Sequence, residues 1–483
     1  MSSNATGLRG SIGVIGIVFL VVAAASPLTT VAGSLPVMIA LGNGAGAPLT
    51  YVVAALVLLL FSVGYAAMSS RITDAGAFYA YVTQGLGKRL GIGAAGLALF
   101  AYATIQAGVY GLAAATVDGL VVQYGGPDLP WWLWAFVMMA VVGFVGYRNI
   151  SLGARLLGVL LALEIVAIVV LSVAVFSQGG AHGIDVDSFK PSTFFSGSPG
   201  IAMMFAIGSF VGFEATAIYS EEARNPKRTV PLATYAAIIV IGVLYALASW
   251  AVVLAFGSDQ VADAAMKDTA GLTFAATATF VSSSASDAMQ IMLVTSLFAT
   301  LLAFHGAIAR YVFALSRAGY APRGLSAVHA KHGSPHAGSL LQTASAVVLV
   351  GVFAIAGADP VLQLFTWMAG VAIVAILVLM ALTSFAIVAY FRRTRVDTRL
   401  WQTVVAPILG GLGLIAITAL VIANFTTLIG GSRTTAAIFL AAVVVTFVVG
   451  VVLGGRPAAR SLGDGSGDGL GDDLTELEPT PAS

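Results

Sequence analysis

Two carboxylates stand inside apolar runs of this chain. Glu164 lies in "LLGVLLALEIVAIVVL", and Glu214 follows a mostly apolar stretch from Pro199 to Phe213, in "GSFVGFEATAIYSEEARNPKRTVP". An ionised acid in apolar surroundings is expensive and by default functional. The chemistry open to such a group is narrow: it can exchange a proton, pair with a coupling cation, or stay protonated and hydrogen-bonded as a structural group. Gly208 and Gly212 precede Glu214, and glycine weakens a helix and permits other backbone angles. A break there would put Glu214 at the N-terminal end of a following half-helix, where N–H groups and the dipole favour negative charge.

The elements that must hold these acids are membrane spans. The 483 residues are 59% hydrophobic and only 9% charged, with a mean hydropathy of +0.98. Soluble domains carry about 25% charged residues. Continuous apolar runs near the length needed to cross a bilayer recur along most of the sequence, and their continuity excludes a barrel. The expected fold is an all-α polytopic membrane protein with twelve transmembrane helices, at about 11–41, 48–69, 88–117, 130–147, 153–177, 198–222, 229–256, 284–316, 338–356, 360–391, 403–426 and 433–454. With the N-terminus in the cytoplasm, only Lys190, Lys267 and Arg433 of the 22 basic residues fall outside. That alternation is the positive-inside pattern and places both termini inside. Arg9, an apolar run and "AAAS" at 23–26 resemble a cleavable signal peptide. The apolar stretch resumes and continues to Leu41, so it reads as a retained first span. The Gly-, Asp- and Pro-rich tail from Arg456 has too few apolar residues to order itself.

Glu164 lies about 13 Å beyond Arg155 along a helix, and Glu214 about 10 Å from Glu221. Two spans contain breaks. In the first, "ASPLTTVAGSLP" makes a continuous helix through Ser26 to Gly33 improbable, because Pro27 removes a donor and clashes with the preceding turn. The sixth breaks at Gly208, Ser209 and Gly212. Bare backbone at membrane depth is tolerated only where it lines a cavity or is buried in protein. Interrupted helices in matching positions of two oppositely oriented halves point to a secondary transporter with its site near the midplane.

Other residues qualify more weakly. Tyr102, Gln106 and Tyr110 share a helix face and could line a pathway or bond between helices. Thr295, Ser296 and Thr300 could offer hydroxyls to a cation or to Glu164. His305 reads as a structural histidine. His329, His332 and His336 have a metal-like spacing but read as loop residues, so no metal and no cofactor is expected. Arg224, Lys227 and Arg228 can anchor headgroups or pair with Glu221 and Glu222 as an inner gate. The absence of cysteine excludes thiolate chemistry. No nucleotide loop or nucleophile–base pair marks an enzyme, nothing marks a nucleic-acid partner, and no channel filter is visible.

Three stretches resemble the amino acid–polyamine–organocation (APC) family of permeases: "GFEATAIYSEEARNPKRTVPLATY", "ITDAGAFYAYVTQGLG" and "ARYVFALSRAGYAPRGLSAVHAKHGSP". The resemblance covers about residues 10 to 455. It implies a LeuT-type core of five plus five inverted helices over 11–391 (halves 11–177 and 198–391), with helices one and six interrupted. Two peripheral helices at 392–455, a cytoplasmic N-terminus at 1–10 and a cytoplasmic tail at 456–483 complete the chain. It further implies alternating-access import or exchange of amino acids, polyamines or related amines across the cytoplasmic membrane, with proton or sodium as the coupling ion. Ser26, Pro27, Thr29, Thr30 and Gly33 of the first break and Gly208, Ser209, Phe210 and Gly212 of the second would hold the substrate, beside Tyr102 and Gln106. Glu214 corresponds to the family's gating and proton-sensing acid, and Glu164 falls near a coupling position of the fifth helix. Many amino-acid members carry a Gly-Ser-Gly-like turn in helix one; this chain has "AASPLTTVAGS", which keeps a polyamine or other amine open. A sensor that kept the fold without transporting is the alternative function.

Overall fold

The computed structural model describes residues 12–72, 78–148, 154–214, 216, 223–329 and 334–456. Among these the chain is helical, and the only pairing of extended backbone is an isolated parallel bridge between Ile12 and Ala223. Among the described residues, ten helical stretches are long and apolar enough to cross a membrane. At the places of the expected fourth and sixth spans stand two shorter apolar helices, Trp131–Tyr147 and Pro199–Gly208. Calls that rest on Arg9, Glu221, Glu222, Lys331, His332 and the tail lie outside the described residues, as does the side chain of Arg155.

The helices follow in order. α1 (Val14–Ala24) and α2 (Leu35–Leu41) are joined by a π-helical segment, Thr29–Ser34. α3 (Ala47–Ser69), α4 (Phe78–Leu86), α5 (Lys88–Gln123), α6 (Trp131–Tyr147) and α7 (Ala154–Gln178) come next. After the short α8 (Pro191–Phe194) comes α9 (Pro199–Gly208), then α10 (Pro226–Phe256), α11 (Val261–Lys267) and α12 (Leu272–Phe280). The last five are α13 (Ser283–Arg317), α14 (His336–Ile355), α15 (Thr366–Thr394), α16 (Ala406–Leu428) and α17 (Arg433–Gly454). Prolines stand in the first turns of α3, α9, α10 and α16, where the missing N–H costs nothing.

The centre of the bundle is α15, which is buried along most of its length and packs on α5, α4 and α16. Helices close on one another through small residues. A Cβ on Gly450 of α17 would lie 2.7 Å from the Cα of Gly93 in α5, and one on Gly410 of α16 would lie 2.6 Å from the backbone nitrogen of Phe61 in α3. Backbones this near gain dispersion contacts that longer side chains would forbid. The outer faces of α7 and α17 expose Val159, Leu163, Val166 and Val173, and Val444, Val445, Val448 and Val452. Such apolar belts suit hydrocarbon rather than water.

Charges gather at one end of the bundle, at the ends of α3, α13 and α15 and the start of α5. There Arg71, two residues beyond α3, donates to the Val396 carbonyl at 3.0 Å and lies 3.8 Å from Asp397. Arg399 grips the same carboxylate through Nε at 3.0 Å and Nη2 at 2.6 Å. These hydrogen bonds, Arg399 foremost, hold the Asp397 carboxyl down to about 2. Because the folded carboxyl titrates below an unfolded one, the contribution is complete above about pH 4 and fades as pH falls toward 2. Asp397→Asn should therefore lower the Tm of detergent-solubilised protein at pH 7, with the difference from the parent chain shrinking in melts recorded at successively lower pH.

Candidate functional site

The site is built where two helices stop. α1 ends at Ala24, and Ser26 takes φ 45°, a left-handed conformation that costs a non-glycine residue energy. Pro27 then opens a new helical stretch, to which its fixed φ is suited, and the ladder restarts with the Thr30 N–H donating to the Ser26 carbonyl at 3.1 Å. The loss of helix expected over Ser26 to Gly33 is thus confined to Ala25 and Ser26. The rest is wound as the wider π form. The orphaned acceptors are taken from outside: the Tyr245 hydroxyl donates to the Ala25 carbonyl at 3.1 Å, and Thr273 to the Val31 carbonyl at 2.8 Å.

The second break follows Gly208. Ser209 to Glu214 form successive turns tightened by i→i+3 bonds, such as Val211 N–H to the Gly208 carbonyl at 3.1 Å. Gly212 has φ +112°, and a Cβ there would stand 3.1 Å from the Cβ of Ala24. The two breaks therefore touch. Of the residues after Glu214 that would form the expected half-helix, only Thr216 is described before Ala223.

Each acid answers a backbone donor at one break. Glu214 is 7% exposed. Its carboxylate accepts from the Gly212 N–H at 2.8 Å and from the Tyr102 hydroxyl at 3.2 Å, while Tyr65 donates to its carbonyl at 3.0 Å. Glu164, 5% exposed, comes from α7 and accepts from the Leu28 N–H at 3.4 Å. That N–H belongs to the first turn after the break, the positive end of the restarted helix. Between the first break and α13 runs a pair of hydroxyl contacts, Ser26 to Thr300 at 2.7 Å and Thr29 to Ser296 at 3.2 Å.

A cavity of about 70 Å³ lies against these breaks. Ser26, Thr29, Thr30, Gly208, Ser209 and Thr300 line it, with an apolar wall that includes Ile105, Val109, Phe205, Phe304, Phe365 and Ile373. Among the described residues, no charged side chain is in its lining. Other expected site residues stand elsewhere. Pro27, Phe210, Gly212, Glu164 and Glu214 lie outside the lining. Phe210 packs edge-on to Tyr245. Tyr102 faces Glu214, and Thr295 bonds back to the Met292 carbonyl of its own helix. Gln106 bridges helices, donating to the Leu301 carbonyl at 2.9 Å and accepting from Gln342. Gly33 lines a second, larger cavity of about 300 Å³ with Leu112, Gln123, Asp268 and Gln290. His305 pairs with Ser339 at 2.7 Å. His329 and His336 pack edge-on against the Tyr147 ring. Among the described residues no cluster could hold a metal ion.

Sequence reasoning missed Tyr65, Tyr245 and Thr273, which satisfy the broken backbone, and Phe304 and Phe365, which wall the cavity. A tyrosine within an apolar span carries some signal, since its hydroxyl needs a partner when buried. The two phenylalanines look like any other core residue.

A bundle of membrane-length helices with two touching breaks around a small cavity is the architecture of a permease rather than of an enzyme. The sequence matches the amino acid permease family over residues 16–460, and the chain belongs to that family. It is 26% identical over 310 residues to "Branched-chain amino acid permease BcaP" of Lactococcus lactis, covering 60% of this chain and 64% of that protein. To "Low-affinity putrescine importer PlaP" of Escherichia coli it is 23% identical over 323 residues, 64% of this chain and 66% of the other. To "Aromatic amino acid transport protein AroP" of Escherichia coli O157:H7 it is 27% identical over 235 residues, 46% and 50% respectively. The alignments thus span less than two thirds of each of these relatives.

Removing one partner of a buried acceptor costs about 1–3 kcal/mol. Tyr245→Phe keeps the ring and strips the Ala25 carbonyl of its donor. A lowered Tm by thermal unfolding in detergent is expected, whereas an unchanged Tm would mean that this carbonyl finds another partner.

Proposed function

We propose that the chain is a secondary transporter that carries a compact neutral amino acid with an apolar side chain across the cytoplasmic membrane, by alternating access coupled to protons. The carrying observation is the composition of the cavity lining: hydroxyls and broken backbone together with apolar side chains and, among the described residues, no charged side chain. The hydroxyls of Ser26, Thr29, Thr30 and Ser209 in the lining can donate to a carboxylate or accept from an ammonium, and the helix opening beside them favours the anionic end. A diamine would leave its second ammonium against Ile105, Phe365 or Ile373, and burying an unpaired charge is costly. The cavity therefore favours a substrate of the kind named for the branched-chain relative over putrescine.

In this reading the twelve expected spans form the five-plus-five inverted arrangement with two further helices. The short α6 and α9 serve as the fourth span and the outer part of the sixth. The arginine-rich end faces the cytoplasm, by the positive-inside pattern. Glu164 and Glu214 are the coupling acids. Each holds a backbone donor at a break, so separating the segment after α1 from α7, or Gly212 from its turn, means giving up a charge-assisted bond. A proton on the carboxyl weakens that bond and lowers the cost of the movement. Hydroxyl pairs such as Ser26–Thr300 can re-form with water when the first break and α13 part.

Uptake into proteoliposomes tests the whole reading. Labelled leucine, valine and phenylalanine would be compared with putrescine under imposed proton or sodium gradients. An inward proton gradient should raise uptake of an apolar amino acid several-fold. Glu164→Gln and Glu214→Gln should abolish that acceleration while ligand-induced thermal stabilisation persists. Preference for putrescine would overturn the substrate assignment. Acceleration by sodium alone would overturn the coupling, and binding without uptake would leave a sensor.

A further inference from the structure

The charged end of the bundle carries a patch that the transport site does not use. Lys88 and Arg89 open α5, Arg392 and Arg393 stand in the last turn of α15, and Arg456 follows α17; all five are exposed. Contacts bring the helix ends that carry them together. Arg393 donates to the Gln84 carbonyl at 2.6 Å, four residues before Lys88. A Cβ on Gly455 would lie 3.2 Å from Nε of Arg89, so α17 ends against the start of α5. Lys88 rests over the Tyr320 ring at 5.5 Å. Among the described residues, none of the five is within ion-pair distance of a carboxylate; the acid paired at this end is Asp397, with Arg71 and Arg399.

The chain beyond Arg456 supplies the opposite charge. Asp464, Asp468, Asp472, Asp473, Glu476 and Glu478 lie there against a single cation, Arg460. We propose that this acidic terminal segment docks on the patch formed by Lys88, Arg89, Arg392, Arg393 and Arg456. The segment starts inside the patch, because Arg456 belongs to it. A Gly-rich chain of about sixteen residues has an r.m.s. span on the order of 20 Å, enough to bring its acids over helix ends that pack side by side. Tethering makes the encounter intramolecular, at an effective concentration in the millimolar range. Several opposite charges held this way attract at low salt and are screened at high salt. Docking would cover the junction of α5, α15 and α17 and withhold these cations from anionic headgroups.

The absence of cysteine makes a distance measurement direct. Spin labels on Thr394→Cys, at the end of α15, and Thr475→Cys, in the acidic segment, would be read by double electron–electron resonance in zwitterionic nanodiscs. A short, narrow distance population is expected at about 20 mM salt, falling several-fold at about 0.5 M. It should vanish when Lys88, Arg89, Arg392 and Arg393 are changed to Gln. It should vanish equally when Asp472, Asp473, Glu476 and Glu478 are changed to their amides, a variant that leaves the helices untouched. One broad distribution in every condition would overturn the proposal. So would a short population that disappears when anionic lipid is added, since the patch would then belong to headgroups.

Discussion

A helix that stops inside a bilayer leaves donors and acceptors where no water can reach them, and most of this site can be read as the answer to that problem. Ala25 and Val31 offer carbonyls that Tyr245 and Thr273 take up. Leu28 and Gly212 offer N–H groups that Glu164 and Glu214 take up. An unsatisfied group at such depth costs several kcal/mol. The first break depends on partners from α7, α10 and α12, and the second on Glu214 of its own segment with Tyr65 and Tyr102 from α3 and α5. The acids that make the site chemically interesting are therefore also among the groups that make it possible, and changing either one disturbs backbone as well as charge.

The bonds around the cavity differ in kind. On one flank α5, α13 and α14 are joined by buried amide and imidazole contacts: Gln106 to Leu301 and Gln342, and His305 to Ser339. Networks of this type are fully satisfied within the protein and expensive to open. On the other flank the segment after α1 meets α13 through the hydroxyl pairs Ser26–Thr300 and Thr29–Ser296. A hydroxyl can donate or accept and can exchange its partner for water. The contrast divides the surroundings of the cavity into a wall built to stay and a helix held by bonds that can be traded.

Much of this was legible in the sequence, and what was not has a physical reason. Pro27 amid small and hydroxyl residues announced the first break, and the paired glycines announced the second. The extent of the first was overestimated, because proline removes one donor and then sets a good first turn, so the helix resumes at once in a wider form. Ten of the expected spans appear at membrane length, while α6 is short and α9 ends where the glycines end it. Contacts between distant segments left no local trace. Leu28 and Glu164 are 136 residues apart, and Ala25 and Tyr245 are 220 apart. Gln106 carried an ambiguous signal, since an amide on a helix face suits a pathway and an interhelical bridge equally well.

Charge accounting around the cavity bears directly on what it can hold. Both buried acids stand behind the lining rather than in it, and each is already engaged with a backbone N–H. Neither is free to neutralise the ammonium of a substrate without surrendering that bond. A cation alone would arrive uncompensated, and a dication doubly so, in surroundings where an unpaired charge is penalised heavily. A zwitterion brings its own counter-charge and asks the protein only for short-range hydrogen bonds, which helix ends and hydroxyls supply. In the proposed transport cycle the carboxylates are then left to hold or release protons, which would separate the group that recognises the substrate from the groups that carry the coupling.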